Sequence, residues 1–457
     1  MKHLPVSLMN SLADIKGFDK EAFEKVHASG EQITSIRINP FKISESSQVP
    51  SLGGDLGEAV PWTEYGFYLS ERPSFTFDPL FHAGLYYVQE ASSMFLEQAL
   101  KQTVDLSQPL KVLDLSAAPG GKSTHIQSLI SKDSLLVSNE VIRSRANILK
   151  DNIVKWGCSN VMVTNNDPKD FARLENYFDV IVVDAPCSGS GLFRREPEAM
   201  DEWSLNNVQL CSQRQQRILA DVWPALKKEG ILIYSTCSYS KEEDEDILDW
   251  MTGQLPAANC QLSIRNEWGI VETTSAAGNK GYRFWPDKVK GEGFFLACFR
   301  RKDGEEDASF RIKRKPEQLT KNEIAIIEKW VDITGNNFIK NQNTVYAWPS
   351  WLSNDFAWLL NNLRAVYSGT IIGEILRDKL VPDHALAMNP IISKHIGSLP
   401  LDYTQAINYL KRKEVQLQIK DKGWQLVNYL GHPLGWINVL PNRVNNYYPK
   451  ELRILKD

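Results

Sequence analysis

No CxxC pair occurs among the six cysteines (Cys158, Cys187, Cys211, Cys237, Cys260 and Cys298), so neither a zinc ribbon nor a disulfide framework is indicated. Reduced thiols in a cytoplasmic protein are expected. Also lacking is any apolar run near the ~18 residues that span a bilayer. The first residues, MKHLPVSLMNSLADIKGF, contain no apolar h-region and no small-residue cleavage site, so a soluble chain without membrane contact is expected. The seven histidines show no ligand spacing such as HExxH, and no metal site is anticipated. There is no excess of basic charge either. The 52 Lys+Arg against 56 Asp+Glu give a net charge of -4, which argues against a uniformly basic nucleic-acid coat and makes any such surface local. Divided after Asp303, the chain carries 32 basic and 40 acidic residues before the cut and 20 basic and 16 acidic after it.

What is present, in 457 residues of which 42% are hydrophobic, suffices for about three domains. Helical periodicity over 4–12 and 20–27 precedes an alternating, strand-like segment at 33–38. From Lys111 onward, short β-branched runs (111–115, 135–139, 161–165, 180–184, 231–235 and a late one at 294–299) alternate with helix-length amphipathic stretches (122–130, 141–156, 204–227, 241–251). That alternation predicts βαβ units, a parallel sheet and a doubly wound α/β core. Residues 303–315 are polar, switch from acidic to basic, and read as a linker.

Following the first predicted strand, Asp114-Leu-Ser-Ala-Ala-Pro-Gly-Gly-Lys-Ser123 opens a helix, which sets backbone N–H groups and a positive helix terminus against a ligand. One reading is a phosphate loop, because Gly121-Lys122-Ser123 ends like GxxxxGK[ST] and Asp184 could hold magnesium. Ser116 then stands where a glycine is needed, and Pro119 removes an amide. The other is a loop for S-adenosyl-L-methionine, in which Ala117, Ala118, Gly120 and Gly121 permit close backbone approach. This reading needs an acidic residue ending the second strand, for the ribose hydroxyls. Glu140 is there, and Asp167, after the third strand, is placed for the adenine amino group.

Asp184-Ala-Pro-Cys-Ser188 closes the fourth strand and Ser235-Thr-Cys-Ser238 the fifth, so Asp184, Cys187 and Cys237 meet at the carboxyl edge of the sheet. A lone cysteine is most often a small buried hydrophobe. Two at adjacent strand ends beside a cofactor loop suggest chemistry. Carbon 5 of cytosine is a poor nucleophile until a thiolate attacks carbon 6, and an acid must then hydrogen-bond ring N3. Asp184 is placed for that, and a second thiol could assist release.

These motifs, SAAPGGK (116–122), Glu140, Asp167, DAPCSGSG (184–191) and TCSYSKEE (236–243), resemble the Nol/Nop/Sun family of RNA cytosine-5 methyltransferases, most closely its bacterial RsmF-like branch. SIRINP (35–40) and HAGLYYVQEASSM (82–94) resemble its N-terminal signatures. The resemblance implies that Cys237 is the nucleophile and Cys187 promotes release. It implies cofactor contacts from Ser116, Ala117, Ala118, Pro119, Gly120, Gly121, Lys122, Glu140, Asp167 and Asp184. Ser116 departs from the Cys or Ala of many relatives. The implied architecture is a Rossmann-like class I methyltransferase core at 106–302, an N-terminal α+β RNA-binding domain at 1–105, the 303–315 linker, an intermediate domain at 316–390 and a PUA-like RNA-binding module at 391–457.

Several other residues have competing readings. Arg194 and Arg195 could solvate a helix approach or contact RNA phosphate or ribose; Trp203 precedes the long helix. Residues 241–246 (KEEDED) read as an acidic helix start rather than a metal site. His82 reads as a core residue. In the C-terminal part, Lys411, Arg412, Lys413, Lys420 and Lys422 are interleaved with Trp424, Tyr429, Trp436, Tyr447 and Tyr448, a pattern that suits RNA backbone and unpaired bases or, more plainly, a β-rich core. The expected activity is 5-methylcytosine formation in 16S rRNA near the decoding region, on free RNA or the 30S subunit, by a monomer. Competing readings are a tRNA methyltransferase, an RNA-stimulated NTPase using Lys122 and Asp184, and a non-catalytic ribosome assembly factor.

Overall fold

Strands buried on both faces require helices on both sides, and the computed structural model, which describes residues 3–43, 56–304, 311–417 and 421–456, has that arrangement. Strands β1 (Lys111–Asp114), β2 (Leu135–Asn139), β3 (Val161–Thr164), β4 (Phe178–Asp184) and β5 (Leu226–Thr236) run parallel in the order β3-β2-β1-β4-β5. Strand β6 (Phe294–Arg301) pairs antiparallel with β5. Helices α1 (Gly121–Leu129), α2 (Arg143–Trp156), α3 (Leu205–Val222) and α4 (Glu245–Gln254) cover the sheet. The strand order reverses between β1 and β4, which opens a crevice at their carboxyl ends. This is the doubly wound core that the sequence pattern predicts.

Local chemistry sets the helix limits. The Asn207 amide donates to the Ser204 hydroxyl (3.1 Å) at the start of α3, and Val208, Cys211, Gln215, Ile218, Leu219 and Val222 form its buried stripe. The helix stops at Val222, short of the expected 227, because Pro224 brings no amide and β5 begins at Leu226. Helix α2 ends at Gly157, whose φ of +90° suits glycine.

Sequence periodicity misses four strands of this sheet. Ala257–Cys260, Val271–Thr274 and Lys280–Phe284 extend it on the β6 side. At the opposite edge, β7 (Ala365–Ser368) pairs antiparallel with β3. The helix expected over 322–334 covers only Lys321–Ile327, capped by Thr320 and Glu323. Beyond it Trp330 packs on Trp436 and Val331 bridges to Ile392, so tertiary contacts override the periodicity.

Before the core, helices Val6–Leu12 and Lys20–Ala28 precede a four-stranded antiparallel sheet that contains Thr34–Ile38. After it come a five-stranded antiparallel sheet (317–382) and a four-stranded mixed sheet (398–446) whose first strand runs parallel to its second. The front module is keyed into the core by Arg37. This fully buried guanidinium donates to Gln89 (2.9 Å), Thr124 (2.6 Å) and Ser128 (3.1 Å), and lies 4.5 Å from the Trp156 ring. The last module meets the first through His82 and Tyr448 (3.2 Å) and through the Tyr403 hydroxyl on the Phe77 carbonyl (3.1 Å).

Candidate active site

At the carboxyl ends of β1, β2 and β4 lies a cavity of about 500 Å3 whose lining includes Ser116, Ala118, Glu140, Asp167, Asp184, Cys187 and Cys237. The remaining loop residues, Ala117, Pro119, Gly120, Gly121 and Lys122, shape the turn behind it. Gly120, with φ of +119°, precedes α1 without a side-chain cap. The Ala117 amide donates to the Asn139 carbonyl (2.8 Å), Arg145 to the Ala118 carbonyl (2.9 Å) and Asn152 to the Pro119 carbonyl (2.7 Å). Glu140 is buried, takes the Ile142 amide on one oxygen (2.9 Å), and has Arg145 3.5 Å from the other. Val141 and Ile142, 56% and 49% exposed, offer an apolar shelf beside it. A carboxylate next to an exposed apolar shelf fits a ribose and a purine, and the volume is in the range of a cofactor site. Asp167 accepts from the Lys169 amide (3.2 Å).

Lys122, the cation on which a phosphate loop would depend, is already committed. Its Nζ sits 2.8 Å from Asp184 Oδ2, with the Phe294 ring 5.3 Å away, while Asp184 Oδ1 accepts from the Ser235 hydroxyl (2.8 Å). The parallel register that sets Asp184 beside Ser235 creates this contact. With its lysine held by Asp184, the loop does not offer that cation to a phosphate, and the buried Glu140 carboxylate at the second strand end suits a ribose instead. Asp114, one layer below, is held by Ser123 (2.7 Å), and burial pushes its carboxyl up to about 7.

The two sulfurs lie 3.1 Å apart. The contact with Cys237, and then burial, hold the Cys187 thiol well above the ordinary thiol range. One carboxylate ties both loops. Glu243 Oε1 accepts from the Ser188 amide (2.7 Å) and from Gln215 (3.3 Å), and Oε2 accepts from the hydroxyls of Ser188 (2.5 Å) and Ser238 (2.6 Å). Each serine directly follows one of the cysteines. The Gly191 amide donates to the Cys237 carbonyl (2.8 Å), and a Cβ on Gly191 would lie 2.7 Å from that oxygen.

The acidic segment 241–246 therefore differs from its sequence reading. A 3-10 turn spans Lys241–Glu243 and α4 starts at Glu245, yet Glu243, Asp244 and Glu245 are buried. Asp244 accepts from Thr236 (2.6 Å), and buried Arg283 bonds Glu245 (2.7 Å) and lies 3.1 Å from Asp244. Periodicity gave no sign of this burial. The only hint was a run of carboxylates directly after a cysteine loop.

Arg194 and Arg195 divide. The Arg194 side chain is buried and donates to the carbonyls of Gly291 (3.1 Å) and Glu31 (2.9 Å), while that of Arg195 is 61% exposed. Trp203 packs with Leu8, Phe23 and Trp285 in a core. His82 is a buried link, pushed down to about 4 by burial. In the last module Trp436 and Tyr448 are core, whereas Trp424 stacks edge-on with exposed Tyr447 (4.3 Å) beside a cleft lined by Arg412, Lys413, Arg443 and Lys450. Lys420 lies outside the described residues. Among those described, no cluster of metal-ligating side chains occurs and no helix is long and apolar enough to cross a membrane.

Comparison with known proteins agrees with this geometry. Residues 101–300 match the family model for the 16S rRNA methyltransferases RsmB/F, residues 4–91 the N-terminal domain of RsmF, and residues 397–454 the RsmF PUA domain. The chain is 32% identical over 440 residues to ribosomal RNA small subunit methyltransferase F of Aeromonas salmonicida, covering 92% of this chain and 90% of the relative. With the enzyme of that name from Shewanella loihica the identity is 29% over 442 residues, covering 92% and 88%. Among solved structures, a methyltransferase homologue from Pyrococcus horikoshii aligns with 28% identity and a TM-score of 0.52, over 65% of this chain and all of that one. NSun6 from the same organism, solved with SFG, shares the fold at 20% identity and a TM-score of 0.55, over 65% and 98%. With its β1 loop, its second-strand carboxylate and its paired thiols in this order, the chain belongs to the S-adenosylmethionine-dependent ribosomal RNA small subunit methyltransferase F family.

Proposed function

We propose that this chain methylates carbon 5 of cytosine in 16S rRNA, with Cys237 as nucleophile and Cys187 as the thiol that promotes release. The observation that carries this reading is the pair of sulfurs 3.1 Å apart on the wall of the cofactor-sized cavity. S-adenosylmethionine, when bound, supplies an electrophilic methyl group. Glu140 and Asp167 orient its nucleoside and the Ser116–Gly121 turn receives its amino-acid end.

The cytosine must leave its stack to enter the site. The Cys237 thiolate adds to carbon 6, and the Lys122–Asp184 pair (2.8 Å), in which the ammonium carries the proton, supplies the hydrogen bond that ring N3 needs as charge develops. Carbon 5, now electron-rich, takes the methyl group. A base, such as a water molecule in the open crevice, takes the carbon 5 proton while Cys237 is expelled as the thiolate, which restores the aromatic ring. Cys187, in contact with the departing sulfur, assists that step. Its thiol proton is favoured by the neighbouring thiol, by burial and by the Glu243 charge.

Incubation of the full chain with labelled cofactor and, separately, 30S subunits, naked 16S rRNA and tRNA, followed by bisulfite mapping, tests the reading. Methylation confined to tRNA would reassign the substrate. No 5-methylcytosine in any of the three would reject the activity.

A further inference from the structure

Beside the thiol loops lies a second pocket, of about 260 Å3, that shares no lining residue with the cofactor-sized cavity. Thr34 and Ser35 of the N-terminal strand, half-buried Ile33 and Val88, and Glu292 contribute to its wall. Exposed Arg72 and Arg195 stand at its opening, and Gln32, Gln89, Glu90 and Glu196 complete the lining. It adjoins the chemistry through two backbone contacts: the Gly293 amide on the Gly191 carbonyl (3.3 Å), and the Gly191 amide on the Cys237 carbonyl (2.8 Å).

Two buried polar atoms in this wall have no hydrogen-bond partner among the described residues. They are Thr34 Oγ1 and Glu292 Oε2, and Arg194 Nη1 stands 3.8 Å from the latter. Buried polar atoms are rarely left unpaired, and two lining one pocket signal a polar ligand. Burial pushes the Glu292 carboxyl up to about 7, which makes it a donor or an acceptor near neutrality. Apolar side chains facing polar edges, with guanidinium groups at the opening, match a nucleobase and its phosphates. Among the described residues the ion pair of Arg195 is with its neighbour Glu196 at 3.9 Å, an exposed pair too weak to occupy it.

We propose that this pocket receives a nucleotide adjacent to the target cytosine in single-stranded RNA, with its base against Ile33 and Val88, its edge read by Thr34 and Glu292, and its phosphates held by Arg72 and Arg195. The inference rests on the RNA methyltransferase reading. It adds a subsite through which the enzyme selects the sequence around its target.

The test uses the full chain and a 16S rRNA fragment containing the mapped cytosine, with an abasic nucleotide placed in turn at the two positions on each side. For the wild type, one abasic position is expected to lower kcat/KM about tenfold, the usual scale for losing one stacked base. In Thr34→Leu, which fills the pocket, that same substitution is expected to have no further effect. Arg195→Glu, at an exposed site that does not threaten folding, is expected to raise KM with kcat and cofactor affinity unchanged. Methylation that is sensitive to no abasic position, or equally sensitive in wild type and Thr34→Leu with Arg195→Glu silent, overturns the pocket and leaves the functional reading intact. A wild type that methylates no RNA overturns both.

Discussion

Replacing Glu243 separates the holding of the thiols from their chemistry. In Glu243→Gln, an amide oxygen at the Oε1 position keeps the bonds from the Ser188 amide and Gln215, while the amide NH2 at the Oε2 position donates to the Ser188 and Ser238 hydroxyls, which turn to accept. All four contacts survive and only the charge is lost, at a cost of about 1 kcal/mol. Glu243→Ala instead takes the acceptor from the Ser188 amide and from one of the two Gln215 N–H groups, the other being on the Pro186 carbonyl, at roughly 1–3 kcal/mol each, so a loss of about 2–6 kcal/mol in stability is expected. It also releases both cysteine loops, and a shift of about 1 Å at the reacting atoms costs on the order of 100-fold in rate. Single-turnover methyl transfer, calorimetric cofactor binding and denaturant unfolding would be measured together. The expected pattern is Gln within about fivefold of wild type, Ala about 100-fold slower, and cofactor affinity unchanged in both. A Gln variant as slow as Ala would show that the charge matters and not the positioning, and a fully active Ala variant would refute the reasoning outright.

Cys237→Ala is expected to abolish transfer with cofactor binding intact, whereas Cys187→Ala should accumulate a protein–RNA adduct seen as a slow band on a denaturing gel; adduct in the Cys237 variant instead would exchange the two roles. Gly191→Ala, whose Cβ would lie 2.6 Å from the Gly293 carbonyl oxygen and 2.7 Å from that of Cys237, should lower kcat while leaving cofactor binding alone, and normal turnover would count against the tight packing of that loop. His384 is buried, its ring nitrogens have no hydrogen-bond partner among the described residues, and burial pushes it down from 6.5 to about 3. The folded chain keeps it neutral while the unfolded chain takes up a proton below pH 6.5, so its contribution is lost as pH falls through that window. His384→Phe removes this term, and its stability relative to wild type should rise by about 1.4 kcal/mol per pH unit below 6.5. Parallel urea-unfolding curves at pH 7.5 and 5 would contradict it.

The core strands, and the glycine-rich turn and strand-end carboxylate that line the cavity, were legible because they carry strong local signals: β-branched runs, glycines entering a helix, an acidic residue at a strand end. The pairing of Cys187 with Cys237 was legible as well, since two adjacent strand ends must converge at one edge. Glu243 was not, because a carboxylate run at a helix start is normally solvated, and only the fold shows that four donors surround this one. Arg194 and Arg195 are neighbours in sequence with identical local signals, yet backbone carbonyls from two distant segments bury the first and leave the second in solvent. Short strands such as Lys280–Phe284 and Ala365–Ser368 are defined by partners far along the chain, which no local window contains.

The pairing of β7 with β3 sets a timetable for synthesis. About 200 residues separate the two strands. At ribosomal speeds of roughly 5–20 residues per second, β3 emerges with an open edge for roughly 10–40 s before its cover exists. An open edge beside buried strands is a template for pairing with other chains. The nascent protein therefore passes through an interval of vulnerability to misassembly, and any fragment ending before Ala365 remains in it permanently.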